Sequence, residues 1–163
     1  MFFDDANAFQ RWLRHAAGYR PVAWFFARAL HHLDQPVLRI TQGRQSLTSL
    51  LTGLPIVSLT TIGARSGQRR TVPLIGVPDG DRIVIIASNY GQTRHPSWYY
   101  NLKANPDCTA RVAGTERALV ARELEGAERE AAWNLDLRVY PPRAQYAERT
   151  SRQVPVIVLE PAA

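Results

Sequence analysis

Thr71-Val72-Pro73-Leu74-Ile75-Gly76-Val77, then Pro78-Asp79-Gly80-Asp81, then Arg82-Ile83-Val84-Ile85-Ile86-Ala87 is the stretch that decides the fold. Two β-rich runs stand either side of a strong turn signal, and strands joined by so short a turn pair antiparallel, as a hairpin. The same texture continues outward. Pro55 to Thr61 is a β-rich run ahead of the hairpin, Cys108 to Ala113 and Glu116 to Leu124 read as a second hairpin around Gly114, and Val154 to Glu160 reads as a last strand. Two helices interrupt the strands. One opens at Pro96 and stops before Asn105-Pro106; the other runs from about Ala127 to Val139 and is closed by Pro141-Pro142. Hairpins rather than βαβ units predict an α+β domain, and six or so strands suffice to close a small antiparallel barrel.

Upstream of Leu54 the chain reads helical. Phe9, Trp12, Leu13 and Ala16 share one helix face, and Val22, Phe26, Ala29, Leu30 and Leu33 repeat that spacing after Pro21. Val37 to Thr41 is compatible with either a strand or a helix tail. The expected organisation is therefore a helical extension over residues 1–53 followed by a barrel domain over residues 54–163. The two helices pack on the body of the domain, or lie on a membrane surface with Trp and Phe in the interface and Arg at headgroups.

Composition narrows the function classes. The chain has 163 residues, 45% of them hydrophobic and 21% charged, as expected of a globular domain. A single cysteine, Cys108, cannot pair within the chain, which suits a reducing compartment. The acidic start Met1-Phe2-Phe3-Asp4-Asp5 lacks the basic region of a secretory signal, and no apolar run is long enough to span a bilayer. The expected setting is cytoplasmic, with association at the inner face of the cell membrane through residues 1–34 as an additional expectation. A net charge of +6 and a pI near 10.1 favour anionic partners.

Two segments carry the chemistry. Gly63-Ala64-Arg65-Ser66-Gly67-Gln68-Arg69-Arg70 lies between strands. Its glycines permit close backbone approach, successive N–H groups can form an anion-binding concavity, and the arginines supply planar forks for phosphate or carboxylate. It is neither a Walker loop nor a G-x-G-x-x-G fingerprint. The other segment, Ala87-Ser88-Asn89-Tyr90-Gly91-Gln92-Thr93-Arg94-His95-Pro96-Ser97-Trp98-Tyr99, leaves a buried strand through a polar loop into a helix N-terminus. That terminus favours negative charge, and Trp98 and Tyr99 offer walls for a planar ring. Equally, Trp98 and Leu102 at i, i+4 can anchor the helix on the barrel. His95 is expected to open that helix rather than to act chemically. His31 and His32 fall on different helix faces, no ligand-spaced cluster marks a metal site, and no serine sits in a nucleophile elbow.

Together these segments resemble the deazaflavin-dependent nitroreductase family, whose members use coenzyme F420. The resemblance runs through Leu59-Thr60-Thr61-Ile62-Gly63, Arg65-Ser66-Gly67, Arg70-Thr71-Val72-Pro73-Leu74, Ala87-Ser88, Pro96-Ser97-Trp98-Tyr99 and Asn101-Leu102-Lys103-Ala104-Asn105-Pro106. It returns at Tyr140-Pro141, Tyr146 and Val154 to Pro161, covering roughly residues 54 to 161.

The resemblance implies a split β-barrel of the FMN-binding type. It assigns Arg65, Ser66, Gly67, Gln68 and Arg70 to the cofactor's phosphate and acidic tail. Pro73, Ala87, Ser88, Asn89 and Trp98 would border the deazaflavin ring. Ser88, Tyr140 and Tyr146 would face the acceptor as catalytic groups. The sequence departs from the family's pattern at Asn89, at Tyr90 in place of a glycine, and at Arg143, where relatives can carry an aromatic ring. The implied function is hydride transfer from reduced F420 to a quinone, enone or nitroaromatic, by a monomer or homodimer. Open alternatives are an FMN-binding oxidoreductase on the same barrel and a non-catalytic deazaflavin carrier. Nucleic acid is the least favoured partner, because the arginines outside the loop are scattered.

Overall fold

The computed structural model describes residues 53–162. The two N-terminal helices, the ambiguous segment after Pro36 and nearly all of the expected extension 1–53 lie outside the described residues. Within them the chain forms strands β1 (Ile56–Ile62), β2 (Arg69–Asp79), β3 (Arg82–Ile86), β4 (Asp107–Val112), β5 (Thr115–Glu123) and β6 (Val156–Pro161). Helix α1 (Ser97–Ala104) precedes β4, and α2 (Gly126–Val139) and α3 (Arg143–Glu148) precede β6. The strands close a barrel in the order β1-β2-β3-β6-β5-β4, every pairing antiparallel, with β4 returning to β1. The expected small antiparallel α+β barrel is what forms.

Side-chain alternation explains the two cores. Val57 and Leu59 of β1, Cys108 and Ala110 of β4, Leu119 of β5, and Ile83, Ile85, Ile157 and Leu159 fill one cluster, to which α1 adds Trp98 and Leu102. The opposite faces of β3 and β6 do not meet water. Val84, Ile86, Val156 and Val158 pack against Ala132 and Val139 of α2 and against Tyr140 and Tyr146. Because both faces are covered, these two strands read as unbroken apolar runs rather than as alternating ones.

The hairpin turn is tighter than Pro78 to Asp81 suggests. Asp79 pairs with Arg82, so only Gly80 and Asp81 lie between the strands. Two elements depart from the sequence reading. Asn89–Gly91 forms a single 3-10 turn, and Pro142 caps the short helix α3 instead of merely ending α2.

Gly76 is set by close approach. A Cβ there would come within 2.7 Å of both Val57 methyl groups and 2.9 Å of Ile83 Cγ2. Gly76→Ala is therefore expected to destabilise the barrel by about 1–3 kcal/mol through overpacking, read from the urea midpoint with the far-ultraviolet spectrum unchanged.

Candidate active site

The two strands of the deciding hairpin are unequal. β2 has eleven residues and β3 five. Only Gly76 to Asp79 of β2 pair with β3, whereas Arg69 to Ile75 pair with β1. On the β3 side, then, the first half of β2 continues past the end of its neighbour and, among the described residues, presents a free strand edge. Pro73, partly exposed and opposite Ser58, sits mid-way along that stretch, where its missing N–H is tolerated. Ala87 and Ser88 follow β3 and leave the sheet beside this edge.

At the far end of the edge, β1 turns into β2 through the basic loop. Gly63 N–H donates to Gln68 O and Gly67 N–H to Gly63 O, both at 2.8 Å, and Gly67 has φ +64°. Asn101 of α1 fixes the loop from below: its Oδ1 accepts from Ala64 N–H, and its Nδ2 donates to Thr61 Oγ1, each at 3.0 Å. Arg65, Ser66, Gly67, Gln68, Arg69 and Arg70 are all exposed on the turn so formed. Arg70 Nη2 donates to Gln68 Oε1 at 3.0 Å. Among the described residues none of Arg65, Arg69 and Arg70 is ion-paired with a carboxylate.

The segment after β3 is strained. Asn89 and Tyr90 stand consecutively at φ 47° and 55°, a conformation that side chains rarely adopt. Contacts on both sides hold it. Asn89 Nδ2 donates to Arg94 O at 2.9 Å, and Gly91 lies so close to α3 that a Cβ would meet Tyr146 O at 2.6 Å. Arg152, just ahead of β6, contributes most. Its Nη2 donates to Ser88 O at 2.8 Å and Ala87 O at 3.2 Å, its Nε to Gln92 O at 3.0 Å, and its Nη1 meets His95 Nδ1 at 2.9 Å. An arginine can only donate, so His95 Nδ1 accepts and the imidazole is neutral with its proton on Nε2. Burial, reinforced by the Arg152 charge, lowers the His95 pKa from its ordinary value.

Beneath this segment lies a polar cluster. Ser88, Tyr140, Arg143 and Tyr146 are 4%, 5%, 6% and 2% exposed, and Asp136 is fully buried. Arg143 Nε and Nη2 grip the two Asp136 oxygens at 2.8 and 3.1 Å, and Nη1 donates to Ser88 Oγ at 3.0 Å. The Tyr140 and Tyr146 hydroxyls are 2.9 Å apart, and the Arg143 guanidinium lies 5.1 Å from the Tyr140 ring centre. Burial pushes the Tyr140 hydroxyl well above the ordinary tyrosine range.

The structure thus joins Ser88, Tyr140 and Tyr146 through Arg143, and sets the basic loop and Pro73 along one strand edge. Ala87 is completely buried, Asn89 is half-buried, and Trp98 is 7% exposed, packed with Leu102 into the barrel interior. Tyr99 stacks on His95 at 4.7 Å, and its hydroxyl, pushed up to about 12 mainly by burial, donates to Glu123. The Cys108 thiol, buried against Leu119 O and raised to about 11, is a poor nucleophile.

Sequence reasoning missed Asp136, Asn101 and Arg152 as organisers. A signal for the first was present: Ala132, Asp136 and Val139 occupy one buried helix face, where a carboxylate demands a partner. No local pattern marks Arg152, whose partners lie 57 to 65 residues away.

His95 makes the loop's stability depend on pH. Unfolded histidine titrates near 6.5 and the folded one lower, so the unfolded state binds the extra proton in between. The contribution is complete above the unfolded value and is lost as pH falls through the folded one. The thermal midpoint should therefore drop more steeply below pH 6.5 in the wild type than in His95→Gln, whose amide oxygen still accepts from Arg152. Parallel curves would remove His95 from this role.

The family model for F420H(2)-dependent quinone reductase matches residues 33–161. An F420H(2)-dependent quinone reductase of Mycobacterium tuberculosis is 34% identical over 153 residues, spanning 91% of this chain and 95% of that protein. A solved F420-H2-dependent reductase superposes with a TM-score of 0.61 at 45% identity, covering 65% of this chain and 94% of its own. A structure described as a domain-swapped dimer superposes at 0.64 with 39% identity, covering 86% and 99%. Barrel, basic loop and strand edge all fall within the matched span, and the chain belongs to the F420H(2)-dependent quinone reductase family.

Proposed function

We propose that the chain binds reduced coenzyme F420 along the free edge of β2 and uses it to reduce a quinone. The observation that supports this reading most directly is the juxtaposition of an exposed triple-arginine turn with a stretch of β2 whose edge toward Ser88 is unpaired among the described residues. The donor set fits the group. A phosphate and glutamate tail is matched by arginine forks and a serine hydroxyl in a turn already held by Asn101. Arg65, Ser66, Gly67, Gln68 and Arg70 would hold that tail. Pro73, Ala87, Ser88, Asn89 and the exposed margin of Trp98 would border the ring.

When bound, the reduced cofactor supplies a hydride, and a quinone that takes it together with one proton becomes the quinol. The chain's part is to seat both molecules and to meet the charge that develops on the acceptor oxygen. Ser88, Tyr140 and Tyr146 are the hydroxyls available for this, and Arg152 keeps Ser88 in place by holding its carbonyl.

Hydrogen bonds to charged groups contribute about 1.5–3 kcal/mol each. Arg65→Ala and Arg70→Ala should therefore each weaken F420 binding by roughly ten- to hundredfold, as read by deazaflavin fluorescence. FMN, titrated in parallel, should bind more weakly than F420. Equal affinities, or variants that bind F420 as the wild type does, would count against the reading.

The membrane reading rests on the apolar stripe with flanking arginines in residues 1–34, which would bring a cytoplasmic enzyme to a lipophilic quinone at the inner face of the membrane. Among the described residues no helix is long and apolar enough to cross a membrane. Full-length protein should float with anionic liposomes, and protein lacking residues 1–34 should not. Equal flotation would dismiss this contact.

A further inference from the structure

A buried ion pair is an unusual occupant of a cluster otherwise built from Val84, Ile86, Val139, Tyr140, Tyr146 and Val156. Such pairs roughly break even against apolar residues of similar volume, so stability alone does not account for Asp136 and Arg143. Geometry gives them another use. The two-point grip of Asp136 fixes the plane of the guanidinium and leaves Nη1 aimed at Ser88 Oγ, 3.0 Å away. Guanidinium has no acceptor site, so Ser88 must receive that bond, and its own single proton must point elsewhere. Among the described residues no hydrogen bond donated by Ser88 Oγ accompanies it. The backbone of Ser88 is fixed as well, its carbonyl receiving Arg152 Nη2 at 2.8 Å.

We propose that Arg143, clamped by Asp136, is a positioning residue that commits the Ser88 hydroxyl to donate to the quinone oxygen on which charge develops. The inference rests on the proposed quinone reductase activity and deepens it. Arg143 does not touch the acceptor. It polarises the serine hydroxyl and removes its freedom to rotate, so that a donor stands ready before the acceptor arrives. With its charge balanced by Asp136, Arg143 supplies direction rather than net attraction. Oxygen acceptors that become anionic, as quinones do, gain most from a donor so placed.

The test uses full-length protein, reduced F420 and a soluble naphthoquinone, with Ser88→Ala, Arg143→Gln, Arg143→Lys and the Ser88→Ala/Arg143→Gln double variant. Ser88→Ala should lower kcat by roughly a hundredfold, the scale seen when one donor to a developing oxyanion is removed. Arg143→Gln should lose a comparable factor, the double variant should be no worse than Ser88→Ala alone, and Arg143→Lys should recover part of the rate. F420 affinity, measured separately by fluorescence, should stay within about twofold in Arg143→Gln and Arg143→Lys. In the absence of cofactor, nitrogen-15 NMR should show a slowly exchanging Arg143 side chain whose signal moves in Ser88→Ala.

Multiplicative losses in the double variant, or wild-type kcat in Arg143→Gln, would overturn the positioning role while leaving the quinone reductase reading intact. A wild type that neither binds F420 nor reduces the naphthoquinone would overturn both.

Discussion

The mismatch in length between β2 and β3 governs the rest of the site. An antiparallel barrel satisfies its backbone only where neighbours run side by side, and β3 leaves the sheet while β2 still has seven residues, Arg69 to Ile75, paired among the described residues with β1 alone. The bare edge of β2 and the departure of the chain at Ala87 are one geometric event seen at two places. Closure elsewhere, through β6 and β4, keeps the opening local.

Around that opening the fold concentrates constraint. Two consecutive residues at positive φ, a glycine pressed on α3 and a fourfold arginine staple meet within one short loop. Strain of this kind persists only where the surroundings over-determine it, and it tends to gather at functional positions. The basic loop is the opposite: held from below by Asn101 and otherwise open to solvent. One half of the site is preorganised, and the other presents charge.

Much of this was legible beforehand, for physical reasons. Ile83 to Ala87 and Val156 to Leu159 are unbroken apolar runs because both their faces are covered, and short turns between such runs force hairpins. The arginine turn announced itself through glycine, serine and charge standing together. Arg143 was visible only as a departure from a pattern. Its meaning depends on Asp136, across a proline-broken corner, and on Ser88, 55 residues away. Contacts between distant side chains leave no periodic trace. Tyr140 and Tyr146 were placed at the acceptor by resemblance, and their burial and mutual hydrogen bond come from how α3 folds back, an element that the paired prolines concealed.

The position of β6 carries a consequence for how the protein is made. It is the last of the described strands, yet it lies between β3 and β5, and Arg152 stands just before it. During synthesis β1 to β3 and the hairpin of β4 and β5 emerge first and can meet only along β1 and β4, which leaves a gap between β3 and β5 with its apolar face uncovered. The barrel cannot close, nor can the strained loop be pinned, until Arg152 and β6 have left the ribosome. Such late, long-range pairing leaves sticky intermediates exposed for longest in a nascent chain. A nascent chain stalled ahead of Arg152 thus carries five of the six described strands yet has neither a sealed core nor a pinned loop.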